Sequence, residues 1–213
     1  MEHAGVLERI MTYKFFPLEE NEKQELADKV SSNLPLGYQD LSFCKVFQAE
    51  MPFYADWVCY EIQKEEDVTA KPITFFVKDD KVLVLDWQPK TILEFNKEVP
   101  LVLSIDDISS YVLFFFSHTR VRDGQMKIVT SYDDFRWREE PADTVKRALS
   151  SLLRSPYLVS WNEQERVYEV GAHILFQHNL FDCRLMVNRF GEIEITERTL
   201  QVEDMPLLDD IAE

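Results

Sequence analysis

The chain has 213 residues, with 23 Lys or Arg against 39 Asp or Glu, a formal charge of −16, and 46% of its residues are apolar. That apolar share is enough for a buried core and excludes a disordered tail, while the charge disfavours phosphate backbones and anionic membrane surfaces. With only 5 glycines, the chain carries no Gly-rich phosphate cradle: neither G-x-G-x-x-G nor G-x-x-x-x-G-K-[ST] occurs.

Val6, Leu7, Ile10 and Met11 stand at helical spacing and predict a helix over 6–16, stopped by Pro17. A second helix is expected over 18–32, with Glu19, Glu20 and Glu22 in its first turn and Leu26, Val30 and Leu34 as its buried stripe. From Leu41 to Met51 the period changes to two, which predicts a strand ended by Pro52. Trp57 to Gln63 reads as another strand. Ile73 to Lys78 and Lys81 to Trp87 then flank Asp79-Asp80 as a hairpin.

Ser104-Ile105-Asp106-Asp107 looks like a helix start. The apolar run Tyr111 to Phe116 that follows fits either a buried helix end or a strand, since periodicity does not separate them. Asp123-Gly124 predicts a tight turn closing a hairpin into 125–130. Pro141, Val145, Ala148, Leu149 and Leu152 predict a helix ending near Arg154. Four strands follow, over 157–161, 166–176, 180–188 and 192–197, joined so tightly that they form an antiparallel meander. The acidic stretch after Val202 reads as solvated or loosely docked.

These elements argue for an α+β fold: largely antiparallel, curved sheet packed on several helices, with a C-terminal β-meander. No Gly-, Pro- or Ser-rich linker appears, so one composite domain over 1–213 is expected. The alternative is a helical start plus strands over 1–95 and a second part over 104–213.

Three cysteines, Cys44, Cys59 and Cys183, leave an odd thiol and form no C-x-x-C, which suits reduced thiols in the cytoplasm. The N-terminus has no basic start or apolar run of a secretory signal. No membrane span, metal centre or cofactor is called for by the sequence, and no nucleic-acid partner is expected.

Two polar groupings are candidates for ligand binding. His118, Arg120 and Arg122 stand together before a tight turn, where an Arg fork receives a carboxylate or phosphate. His178, Asp182 and Cys183 would supply three ligands or a Cys–His pair if a short turn brought them together, although Cys183 sits among residues typical of a core. Phe135-Arg136-Trp137-Arg138 has the composition of a protein-interaction hot spot. Paired acids such as Asp79-Asp80 and Asp133-Asp134 fall at turns and caps, where turn chemistry explains them. No nucleophile elbow, H-E-x-x-H or calcium loop occurs.

The expected function is therefore a non-catalytic interaction module, such as an adaptor, immunity-type inhibitor or chaperone, with a basic protein as partner. The alternative is a pocket protein or small enzyme with its ligand enclosed by the sheet. Homo-oligomerisation through an exposed sheet edge is compatible with both.

Overall fold

The computed structural model describes residues 14–65, 71–121 and 124–208. They fall into two compact units, one ending at Asp86 and one running on from Trp87.

In the first unit, period-two segments pair as a five-stranded antiparallel sheet in chain order: β1 (Phe16–Pro17), β2 (Cys44–Glu50), β3 (Val58–Lys64), β4 (Ile73–Lys78) and β5 (Lys81–Val84). Helix α1 (Glu20–Val30) places Leu26 and Val30, with Leu34 and Leu41, in one core with Val46, Ile62, Phe75 and Val77. Its amino end is closed by Glu22, whose carboxylate accepts from the Glu19 N–H at 2.8 Å. The β4–β5 turn does without glycine because Asp79 itself takes φ +52°; a short polar side chain tolerates that left-handed region.

The second unit contains α2 (Pro89–Glu98), α3 (Ile108–Ser117), β6 (Lys127–Ile128), α4 (Asp143–Leu152), β7 (Tyr157–Asn162), β8 (Val167–Phe176), β9 (Asn179–Asn188) and β10 (Ile193–Val202). Strand β8 is central: β9 and then β10 lie on one side, and β6 and β7 share its other edge. All pairings are antiparallel, and β7 to β10 form the expected meander. Alternation buries Tyr168, Val170, Ala172, Ile174, Cys183, Leu185 and Val187 on one face. Towards the β8–β9 turn, Leu180 joins a second core with Val129, Tyr132, Phe135, Leu149, Leu153, Met205 and Leu207. The fold is α+β, with two antiparallel sheets packed on helices.

Several local expectations are corrected, and the two readings of Tyr111 to Phe116 are reduced to one. The helix predicted over 6–16 lies largely outside the described residues, and its last residue, Phe16, is in β1. Leu41–Phe43 form a one-turn 3₁₀ helix before the strand begins, with Asp40 accepting from the Ser42 N–H at 3.0 Å. Helix α2 was not foreseen. The run Tyr111 to Phe116 is helical and buried throughout. Val121 and Gly124 bond to each other, but the next strand, β6, pairs with β8 rather than closing a local hairpin. Finally, residues 203–208 are docked, with Met205 and Leu207 each 3% exposed.

Candidate functional site

His118 caps the carboxyl end of α3, and its Nδ1 lies 2.8 Å from the Phe114 carbonyl oxygen, so the neutral ring donates there. The imidazole sits against the rings of Phe114 and Trp87, with centroids at 4.7 and 6.4 Å. Burial pulls its pKa down to about 4. Arg120 lies over the Trp87 ring at 4.8 Å, and its N–H donates to the Trp87 carbonyl at 2.9 Å. The Arg120 Nε is buried with no hydrogen-bond partner. Arg122 lies outside the described residues.

His178 occupies the two-residue β8–β9 turn with Gln177, at φ +63° and +47°. Cys183 pairs with Ala172 in the middle of the ladder. It stands four residues beyond Asn179, or about 13 Å from the turn at strand rise, so the two are not brought together. Burial raises the Cys183 thiol to about 11, which keeps it protonated. Phe135 and Trp137 belong to the second core, where Trp137 stacks on Tyr132 at 5.5 Å. The flanking Arg136 and Arg138 side chains are exposed, and their main chain pairs with 206–208: Leu208 donates to Arg136 and Arg138 to Pro206. Half of the expected hot spot is thus core. Among the described residues no group of three or more His, Cys, Asp or Glu converges as metal ligands would.

The strongest site lies at the other end of the meander. Asn162, Val167 and Asn188 are neighbouring rungs of β7, β8 and β9, so the β7–β8 and β9–β10 turns stand side by side. Both turns are organised by an asparagine. Asn162 accepts from Gln164 and Glu165 at 3.1 Å, while Asn188 accepts from Phe190 at 2.9 Å and Glu192 at 3.1 Å. Arg166 leaves the first turn at φ +53°. Beneath the second, the Asn96 amide donates to the Tyr111 hydroxyl and the Phe190 carbonyl, both at 2.9 Å. The Tyr111 hydroxyl in turn donates to the Gly191 carbonyl at 2.8 Å. This buried network fixes the turn carrying Arg189 and Phe190 against α2 and α3.

Between these turns and the segment 99–103 opens a cleft of ≈ 600 Å³. Trp161 and Tyr168 stack at 4.0 Å in its wall, and Arg189 lies 4.5 Å over Phe190, which is 46% exposed. Lys97, Arg166 and Arg189 line it against a single acid, Glu98. None of the three cations is ion-paired to a described carboxylate. A cleft of this size, with apolar walls and a few placed charges, is the usual form of a binding site.

No local pattern in the sequence marks this set as a whole. Lys97, Arg166 and Arg189 are far apart in the chain: strand pairing sets the turns of Arg166 and Arg189 side by side, and the Asn96 bonds seat the helix of Lys97 against them. The adjacent Arg189-Phe190 in a turn was the one local signal, an arginine beside an aromatic residue outside any buried stripe. Comparison with protein families, curated proteins and solved structures finds no match to the chain.

Proposed function

We propose that the chain is a non-catalytic protein-interaction module that receives an acidic, apolar segment of a partner protein in this cleft. The observation that carries the reading is charge against background. Three cations without carboxylate partners gather beside Trp161, Tyr168 and Phe190, on a chain with 39 acids to 23 bases. Arg and aromatic residues dominate binding energy at such sites. A basic partner, as the net charge suggests, suits the rest of the surface; the cleft asks for the opposite sign. Three buried free thiols fit a cytoplasmic setting.

The test is fluorescence anisotropy with a short labelled peptide in which Glu alternates with Leu and Phe. Arg166→Glu with Arg189→Glu reverses two exposed charges, so the expected result is an affinity loss of about tenfold or more with an unchanged melting temperature. Equal binding by the double variant would overturn the assignment.

A further inference from the structure

We infer that the partner segment binds as an added strand along Leu101, Val102 and Leu103, a mode that rests on the cleft reading above. These residues line the cleft and belong to no helix or strand. The stretch is held at both ends. Val99 closes α2 by donating to the Phe95 carbonyl at 2.9 Å, and the Leu103 carbonyl accepts from the Tyr168 hydroxyl at 2.6 Å. Between these anchors the backbone is open: no N–H of Leu101, Val102 or Leu103, and no carbonyl of Leu101 or Val102, meets a partner among the described residues. Main-chain groups shut away from water are nearly always bonded, so open ones that border a cleft offer a template for an extended chain that would cover them.

The chemistry of the occupant follows from strand geometry. Side chains of an extended peptide alternate every residue, so one set faces the Trp161–Tyr168 stack while the other reaches the rim cations. Carboxylates on that second set meet Arg166, Arg189 and Lys97. A helical partner spends its main-chain groups on itself except in its end turns, and along its length it leaves the row open. A nucleic acid would answer the cations and aromatics but not the peptide-like pattern of donors and acceptors.

The same labelled Glu-Leu-Phe peptide tests the mode. Two versions, N-methylated at one or the other alternate set of residues, keep every side chain and each lose the donors of one edge. The version that loses the pairing edge should bind about tenfold more weakly. Val102→Pro, which removes one N–H, should weaken the parent peptide by about as much. Val102→Ala should stay within about twofold, because that side chain is 55% exposed. If Val102→Pro does not fold, the N-methylated peptides decide alone, since they alter only the ligand. Unchanged affinity of both N-methylated peptides, with binding still lost on Arg189→Glu, removes the strand mode and keeps the cleft. Tighter binding of a single-stranded oligonucleotide, or displacement of the peptide by unlabelled copies of the chain, overturns the peptide occupant. No binding of the parent peptide overturns the cleft reading and this mode together.

Discussion

His118 loses its charge on folding: buried against Phe114 and Trp87, it titrates at about 4 where a free imidazole titrates at 6.5. Above pH 6.5 the ring is neutral in both folded and unfolded chains, and its Nδ1–H bond to Phe114 costs nothing in protonation. Between pH 6.5 and about 4 the unfolded chain binds a proton that the folded one refuses, so stability falls as pH falls through this window. The full loss is about 3 kcal/mol, levelling off below pH 4. An NMR titration of the His118 ring alongside denaturant melts checks this. A ring that titrates near 6.5 in the folded protein would place it in solvent and return it to the list of anion-binding candidates. Gly191 illustrates the opposite economy of means. It holds φ +76°, and a Cβ there would collide with the Tyr111 hydroxyl and the Asn96 amide. Only glycine lets the β9–β10 turn sit on that polar pair, which is what places Arg189 and Phe190 at the cleft.

At the scale of elements, what could be read from the sequence was either a clean period or a short apolar run between turn residues. The stripe Leu26–Val30 and strand β9 keep a period of burial, whereas β4 buries four residues in a row and β8 five, and these showed as β-branched and aromatic runs closed off by turns. Helix α3 buries Ile108 and every residue from Ser110 to Phe116. With no polar face left it has no period, which is why helix and strand were equally readable there. Helix α2 shows its start through Pro89 and buries Ile92, Phe95 and Asn96, but a buried amide in place of a third apolar residue thins the stripe. After Val202 the acids hid two apolar anchors. Met205 donates to the His178 carbonyl, and Leu207 fills the second core beside Phe135 and Leu149. Leu207→Ala is therefore expected to cost roughly 2–4 kcal/mol, as for other buried leucines. Urea unfolding measures it, and a cost well under about 1 kcal/mol would restore the loosely docked reading. The cleft was illegible for a different reason: local pattern reports burial, whereas Arg166 and Arg189 are brought together by long-range strand register and Lys97 by the packing of α2 beneath the β9–β10 turn.

The whole molecule sets two electrostatic scales against each other. Its −16 charge repels an acidic partner at a distance, while the cations of the cleft attract it at contact. Salt separates these because the screening length falls from about 30 Å at 0.01 M to about 8 Å at 0.15 M. Over that range the far field of the molecule is suppressed first, and contacts inside the cleft, a few ångströms long, are screened least. The association rate of an acidic peptide should therefore rise as salt is added up to about 0.15 M and decline only beyond it, where the near contacts weaken in turn. A basic partner, drawn in by the net charge, would show the reverse from the lowest salt: a steady fall in rate. Stopped-flow mixing of the labelled peptide over a salt series distinguishes the two. A rate that falls monotonically for the acidic peptide would mean that the positive field of the cleft reaches well beyond its walls, against the balance of 39 acids and 23 bases. In the Arg166→Glu, Arg189→Glu double variant the cleft no longer opposes the net charge. There the expected rate rises with salt throughout, with no later decline, which ties the maximum to those two residues rather than to the molecule as a whole.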